Sequence, residues 1–450
     1  MTRRRPAFRS ASALALLLVC TPGTAFARTT AGSASSDAVR QEIAAMRAQM
    51  AAMAARIDTL ESQIAVARTA AADAQAQSVQ AQAQSVQAQA QSANAVQVAT
   101  TASAAAAAAP ARAAKLPEWV ANTTIGGKAF MNVSTIRQKS NGADVSTKGT
   151  QAELKRFYLS VDHKFDDTFS ANLTTDVRYG TNGLANDDVL YVKKAYLQAK
   201  FSPALWVRLG AADLPWVPYS EGIYNYRWVE QVQVDRLKYG TSSDWGIHIG
   251  GVFANGLVGY QVSAVGGQGY KTISRSTDTI DIEGRIDVHP VAGVTLALGG
   301  YTGKLGKSTA NAAAVVRHTA TRLNALAAYT AGPIRIGVEY FSARNWNNVT
   351  TVASDRTDGW SVFGSYALDK RFTVFGRYDR TDPNKYTSPN ARESYFNLGL
   401  NYAAVKGVDI ALVYKRDSVD AITLVTGNGT IGGSTNGTYD EVGVWTQLKF

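Results

Sequence analysis

The stretch 169-FSANLTTDVRY-179 alternates apolar and polar residues with a period of two. Phe169 and Leu173 fall on one face of an extended strand, whereas Asp176 falls on the other face. Such alternation is typical of a strand that separates an apolar from a polar environment. The same pattern recurs at 280–288, 396–402 and 408–414.

Two kinds of connection separate the alternating stretches. Short ones contain hairpin residues such as Asn255-Gly256 and Lys406-Gly407, and long ones are polar and rich in glycine. The longest runs from Asp213 to about Ser242. Short turns at one end and long loops at the other are typical of an outer-membrane barrel. We therefore predict an all-β transmembrane barrel of about 16 antiparallel strands over residues 118–450. A soluble β-sandwich array is the alternative, but it would hide its apolar faces in one core.

The composition of this region excludes several classes of protein. Residues 118–450 contain 35 basic and 30 acidic residues, a balance that excludes a strongly basic nucleic-acid-binding domain. The single cysteine, Cys20, excludes a disulfide framework and a Cys-based zinc site. The four histidines lie on different strands without metal-binding spacing. We predict no enzyme activity, no metal and no cofactor.

The first 117 residues contain none of the barrel pattern. Four arginines, an apolar run at 12–20 and Ala25-Phe26-Ala27 indicate a secretory signal peptide over residues 1–27. Between 37 and 67, apolar residues alternate spacings of three and four, which predicts a coiled coil. We expect a periplasmic coiled-coil stalk over 28–109 and a linker over 110–117. A single amphipathic helix packed on a domain is the alternative.

An exact heptapeptide repeat continues this region. The sequence AQAQSVQ occupies 74–80 and again 81–87, so its period of seven fits a continued coiled coil. Low-complexity disorder is the open alternative for this part. Isoleucine at the first heptad position favours three strands, so we predict a trimer.

A family resemblance lies in the stretch that leads from residue 193 into the long loop. The sequences 193-KKAYL-197, 207-VRLG-210 and 213-DLPW-216 resemble the phosphate-selective porin O/P family. Arg208, Gly210, Pro215 and Trp216 match its pattern, whereas Asp213 stands where the family has a lysine. The resemblance implies a sixteen-stranded, usually trimeric channel with its third loop folded into the pore. The stalk resembles the periplasmic coiled coils of some sugar-specific porins.

Strand parity and the long loop give the candidate site residues. Rings of Arg and Lys select anions, whereas aromatic residues could stack on sugars or pack the loop against the wall. The candidate pore-lining cations are Arg156, Arg178, Lys194, Lys200, Arg208, Arg285, Arg322, Arg335 and Arg377. The candidate constriction-loop residues are Asp213, Trp216, Tyr219, Glu221, Tyr224, Tyr226, Arg227 and Trp228.

These patterns together predict an outer-membrane porin for passive diffusion of small hydrophilic solutes, in particular anions such as phosphate. A carbohydrate-preferring or general diffusion porin is the alternative, and a barrel-anchored adhesin or structural tether is a further one. The expected partners are further copies of the chain, outer-membrane lipid and the barrel-insertion machinery. The alternating stretch 442–450, which ends in Phe450, is the predicted signal for that machinery.

Overall fold

The computed structural model describes part of the chain. The described residues are 43–48, 50–59, 61–66, 68–69, 72–73, 75, 80, 117–145, 149–178, 189–272, 279–307 and 318–450. The predicted signal peptide and most of the heptapeptide repeat and linker lie outside these residues. The chain divides into two compact units, Met1–Ala113 and Ala114–Phe450, and each is described by itself.

The described residues of the first unit are helical, and the run 43–48, 50–59 and 61–66 is here called α1. Ile43, Met50, Ile57 and Ile64 of its heptad pattern are all exposed in the single chain, Met50 by 61%. Among the described residues, no helix is both long enough and apolar enough to cross a membrane.

The second unit begins with a short helix, α2 (Glu118–Ala121), and continues as antiparallel strands. The strands are β1 (Thr123–Ser140), β2 (Ala143–Asp144), β3 (Thr150–Lys164), β4 (Phe169–Arg178), β5 (Val189–Ser202), β6 (Leu205–Asp213), β7 (Ser243–Phe253), β8 (Val258–Val265), β9 (Asp281–Val288), β10 (Val294–Gly303), β11 (Ala320–Ala331), β12 (Ile334–Arg344), β13 (Arg356–Ala367), β14 (Phe372–Asp382), β15 (Arg392–Val405), β16 (Val408–Asp420), β17 (Thr423–Thr426), β18 (Gly429–Gly432) and β19 (Asn436–Lys449).

Sixteen of these strands close into a barrel, as the sequence predicts. Each long strand pairs with the next one along the chain, and β19 pairs with β1 from Lys128↔Lys449 to Ser140↔Gly437. Closure leaves no free sheet edge, which a membrane-spanning sheet requires. The two-residue strand β2 adds to β1, while β17 and β18 form a separate hairpin in the last long loop. Seven short turns, among them the predicted Asn255-Gly256 and Lys406-Gly407, connect strands at one end of the barrel.

The two faces of the barrel are the reverse of those of a soluble protein. On β4, Leu173 faces outward and is 45% exposed, whereas Asp176 faces inward and is completely buried. The same contrast separates Leu323 from Asn324 on β11. An apolar exterior around a polar interior is the arrangement that lipid on one side and a lumen on the other require.

Exposed aromatic residues mark two levels on the outside. Aromatic girdles at both membrane–water interfaces are typical of transmembrane barrels, since their rings are apolar and their tips polar. Near the short turns lie Phe165, Phe201, Phe253, Tyr329, Tyr366 and Phe372, and nearer the long loops lie Tyr340, Trp360, Tyr378 and Tyr414.

Phe450 completes the closure at the short-turn end. Its backbone N–H donates to Gly127 O at 3.2 Å, and its carbonyl accepts from Gly127 N at 3.0 Å. Its ring lies beside Gly127, where a Cβ would overlap it.

Deleting Phe450 is expected to lower the amount of heat-modifiable barrel in the outer membrane. The deletion removes both backbone hydrogen bonds to Gly127 and the predicted recognition signal. Electrophoresis of heated and unheated membranes measures the folded fraction. Phe450→Tyr keeps the ring and the backbone pairing and serves as the control. An unchanged folded fraction after deletion, at native expression level, would contradict the prediction.

Candidate functional site

Residues 214–242, between β6 and β7, fold into the barrel and are here called the constriction loop. The loop contains α3 (Val217–Tyr224) and α4 (Gln233–Arg236). Pro218 lies in the first turn of α3, where no helical hydrogen bond is lost. The helix ends at Asn225, whose φ of 70° lies in the left-handed region that asparagine tolerates. The loop is therefore an ordered insertion with its own helices.

The first half of the loop is fixed by two glutamates of the wall. Trp216 donates its backbone N–H to Glu283 Oε1 at 3.0 Å and its indole N–H to Glu339 Oε1 at 2.5 Å. Ser220 Oγ donates to the other oxygen of Glu339 at 2.7 Å. The indole lies on Gly299 of β10, where a Cβ would overlap the ring. The absence of a side chain at Gly299 is what lets the indole lie against the wall.

The second half of the loop is fixed by Arg236 of α4. Its guanidinium donates to Asp379 at 3.0 Å, to Glu393 at 2.7 Å and to Asp417 at 2.8 Å. All four side chains are completely buried. The guanidinium also lies 4.2 Å from the centroid of the Tyr395 ring. One arginine thus ties the loop to β14, β15 and β16.

Glu230 forms a further attachment of the loop. Here the loop supplies the carboxylate and the wall supplies the cation, which is the reverse of Arg236 and its partners. Lys415 of β16 lies 3.4 Å from Glu230 and 3.0 Å from Glu441. Burial acts to raise the pKa of Glu230, but the charges of Lys415 and Lys155 outweigh burial and lower it to about 2. The Glu230 carboxylate therefore stays ionised at neutral pH.

The aromatic residues of the loop pack it against the wall. Tyr226 stacks on Phe375 of β14, with ring centroids 3.9 Å apart and planes at 12°. Tyr224 accepts a hydrogen bond from Asn397 through its hydroxyl, and Trp228 is 3% exposed. Their ring faces are occupied by the protein itself.

The hydrogen bonds and ion pairs of the loop described above lie on one side of the lumen. They involve β9–β16, and the inner faces of β3–β6 lie opposite them around the barrel. These inner faces, with that of β1, are here called the open wall.

Two cations of the open wall lie near the start of the constriction loop. Lys194 pairs with Asp213 at 2.5 Å. Arg208 donates to Gln198 at 2.8 Å and lies 4.3 Å from the centroid of the Trp206 ring. Among the described residues, no carboxylate lies within 4.0 Å of Arg208, so its charge is not neutralised by a wall carboxylate.

Two β-bulges add cations to the open wall. On β3, Phe130 pairs with Arg156 and Met131 with Leu154, which leaves Lys155 without an opposite residue. On β5, the register shifts in the same way around Lys193. A bulge lets two consecutive side chains point to the same side of the sheet. Lys155-Arg156 and Lys193-Lys194 therefore both face the lumen as pairs.

A loop ion pair faces these cations across the lumen. Arg227 and Glu221 form this pair, and both are mostly buried. Burial raises the pKa of the Glu221 carboxyl, although the charges of Arg227 and Lys193 oppose the shift. The influence of Lys193 on Glu221 places this pair near the cations of the open wall.

The predicted pore-lining cations divide into two groups. Arg285, Arg322, Arg335 and Arg377 are held by the loop, because each donates to a loop carbonyl: that of Pro215, Tyr239, Ile223 and Gln231, respectively. Arg156, Lys194, Lys200 and Arg208 lie on the open wall, Arg156 bonded to Asp176 at 3.2 Å. Arg178 ends β4, and its side chain lies outside the described residues. That these cations set selectivity stays a prediction.

Several charged residues of the lumen and the loop are absent from the candidate residues predicted from the sequence. Lys155 and Lys193 were missed because a bulge reverses the parity that the prediction counts. Lys128 of β1 lies on the predicted polar parity but was not selected. Arg236 and Lys415 hold the loop, and only the alternation around 408–414 could have indicated Lys415.

Comparison with known proteins agrees with this architecture. Residues 229–386, from within the constriction loop to beyond β14, match the family described as Gram-negative porin. The fold is similar to that of the anion-selective porin from Comamonas acidovorans, at 14% identity over 73% of this chain and 99% of that chain, with a TM-score of 0.55. The outer membrane channel DcaP of Acinetobacter baumannii gives 12% identity over 73% and 97%, with a TM-score of 0.50. No curated protein matches the chain.

The chain thus shares the fold of these solved channels, a closed sixteen-stranded barrel with an inserted loop, and its residues 229–386 match the Gram-negative porin family.

Proposed function

We propose that the protein is an outer-membrane porin for passive diffusion, without enzyme activity, and that the channel prefers small anions, inorganic phosphate among them. The observation that carries this is the charge of the open wall. Among the described residues, Lys128, Lys193 and Arg208 have no carboxylate within 4.0 Å. Asp213, at the end of β6, and Glu221 of the loop are each engaged by a cation of their own. Positive charge facing a narrow, water-filled passage raises the local concentration of anions.

The carbohydrate alternative has less support. Sugar stacking needs exposed aromatic faces along the passage, and Trp216, Tyr224 and Trp228 are at most 3% exposed. Tyr219 is covered on one face by the guanidinium of Arg285, 3.8 Å from its ring centroid. These aromatic residues stabilise the loop and offer no stacking surface.

The reversal potential across a planar bilayer under a KCl gradient tests the proposal. An anion-selective potential, followed by block at low phosphate concentration and none by maltodextrin, is the expected result. A cation-selective potential would overturn the anion preference, and block by maltodextrin alone would favour the carbohydrate alternative.

Asp213→Asn is expected to increase the anion preference about threefold at low salt. The substitution releases Lys194 from its ion pair, and one unit charge at about 6 Å in water contributes about 0.7 kcal/mol. The permeability ratio of chloride to potassium is the measurement. Asp420→Asn, at the exposed end of β16, removes the same charge outside the constriction and serves as the control. An equal ratio in both variants would contradict the prediction.

We further propose that residues 1–27 are a cleaved signal peptide and that 28–109 form a periplasmic stalk that holds three copies of the chain together. The apolar heptad residues of α1 support the stalk, because Met46, Met53 and Ile57 are between 55% and 59% exposed in the single chain. Burying such a stripe against the same stripe of other copies is the physical basis of coiled-coil assembly.

Ile57→Asp with Ile64→Asp is expected to reduce the trimer to monomers in crosslinking of the isolated 28–109 peptide. Both residues occupy the first heptad position, so the change puts six charges into the core of a trimer. Ser62→Asp, on the opposite side of the heptad, is the matched control. If the unmodified peptide gave only monomers, the stalk proposal would be wrong.

A further inference from the structure

Three tyrosines and two lysines gather on the open wall near the long-loop end, and they are here called the tyrosine–lysine cluster. Tyr158 lies on β3, Tyr191 and Lys193 on β5, and Tyr270 and Lys271 in the loop after β8. The Lys193 ammonium lies 4.5 Å from the centroid of the Tyr158 ring and 5.8 Å from that of Tyr270. Lys271 lies 5.1 Å from the centroid of Tyr191. The three rings are half-buried.

Lys193 differs from the other buried cations of the barrel. Arg236, Arg322, Arg377 and Lys415 each have a carboxylate within 3.4 Å. Lys193 is 8% exposed, and among the described residues none of its neighbours within 4.0 Å is a carboxylate. Its nearest polar neighbour is the neutral hydroxyl of Tyr158, at 3.4 Å. Because a buried charge without a counter-ion is costly, this position favours a bound anion.

The acids that the structure describes near the cluster do not supply that counter-ion. Asp176 accepts from Arg156 at 3.2 Å and from the Tyr191 hydroxyl at 2.9 Å. Glu221 is engaged by Arg227. Among the described residues, both acids are therefore already engaged by other groups, and the Lys193 ammonium has no carboxylate of its own.

The rings add a second requirement to the charge. Tyr191 and Tyr270 have centroids 5.8 Å apart with planes at 42°, and Tyr270 is held by its backbone N–H, which donates to Ser243 O at 3.1 Å. Aromatic groups gain from edge or offset contacts at such ring distances. A small inorganic anion would pair with Lys193 but not use the rings, and a neutral sugar would use the rings but leave Lys193 without a counter-ion.

We propose that the tyrosine–lysine cluster binds aromatic carboxylates on their path through the pore. The carboxylate pairs with Lys193, and the aromatic ring contacts Tyr158, Tyr191 and Tyr270. This inference rests on the proposed anion preference and adds a class of solute to it.

Block of the purified full-length channel in a planar bilayer tests the inference, with three probes. Benzoate carries the ring and the charge, acetate only the charge, and benzyl alcohol only the ring. We expect half-block by benzoate at about tenfold lower concentration than by acetate, since two or three ring contacts act together. Benzyl alcohol is expected to block weakly.

Variants test whether benzoate blocks the channel at the tyrosine–lysine cluster. Tyr270→Ala is expected to raise the half-blocking concentration of benzoate to that of acetate, whereas Tyr270→Phe keeps the ring and the benzoate preference. Lys193→Gln is expected to weaken block by both anions. Tyr386→Ala removes a 62% exposed tyrosine from another loop and is the matched control.

The outcomes separate this inference from the proposed function. Equal block by benzoate and acetate in an anion-selective wild-type channel would overturn the inference and leave the anion preference standing. Benzyl alcohol as potent as benzoate, or a benzoate preference unchanged in both Tyr270→Ala and Lys193→Gln, would also overturn it. A cation-selective wild-type reversal potential would overturn the proposed function itself.

Discussion

Arg236→Ala is expected to release the second half of the constriction loop and to produce a larger, noisier single-channel conductance. The substitution leaves Asp379, Glu393 and Asp417 completely buried and without their shared cation. Removing one partner of a buried ion pair costs about 3–5 kcal/mol. The barrel strands keep their own hydrogen bonds. The second half of the loop therefore detaches from the wall, whereas the barrel stays folded. The carbonyl of Arg236 also accepts from Gly427 at 2.7 Å, so the β17–β18 hairpin loses its support on the loop.

Arg416→Ala is the matched control for this change. Arg416 lies on the same wall and pairs with Asp440 at 3.0 Å, but its side chain is 42% exposed. An exposed ion pair contributes at most about 1 kcal/mol. Arg236→Ala could lower the folded yield too far for recording. In that case Arg236→Met with Asp417→Asn is expected to recover part of the yield, because one fewer buried carboxylate then lacks a counter-ion. Wild-type conductance and noise in folded Arg236→Ala would show that the loop does not depend on this residue.

Lys128→Glu is expected to lower the ratio of chloride to potassium permeability about tenfold at low salt. The change alters the local charge by two units, and each unit at about 6 Å in water contributes about 0.7 kcal/mol. Lys128 faces the lumen from β1, and among the described residues it has no carboxylate within 4.0 Å. No ion-pair partner among these residues therefore offsets the loss of the Lys128 charge. The reversal potential under a KCl gradient is the measurement, and the effect is expected to shrink as salt rises because screening shortens the range of the charge.

Lys139→Glu makes the same change on the same strand, but with the opposite parity and near the long loops. It is expected to leave the permeability ratio near the wild-type value. A ratio that shifts equally in both variants would mean that the net charge of the channel, and not the charge at the constriction, sets the selectivity.

The number and order of the strands could be predicted from the sequence because each strand crosses between two solvents. Lipid outside and a polar lumen inside impose a period of two, as Leu173 and Asp176 illustrate. The turns could be predicted for a similar reason, since Asn255, Gly256 and Gly407 adopt the left-handed conformations that tight hairpins need. Local chemistry is sufficient for both.

The site could be predicted only in part, because it depends on contacts between distant segments. Parity indicates that Arg322 and Arg377 point inward, but it does not show that Tyr239 and Gln231 of the loop cover them. The partners of Arg236 lie more than 140 residues away along the chain. No local pattern joins residues over such a separation.

The bulges at Lys155 and Lys193 also bear on how the charge of such a channel can change over time. In a regular strand, inserting or deleting one residue reverses every side chain beyond that point, and the strand fails. At a bulge the extra residue is already absorbed. A single-codon deletion there removes one lumen cation and restores regular pairing while every other side chain keeps its face. The open wall can therefore gain or lose charge by insertion and deletion as well as by substitution, one unit at a time.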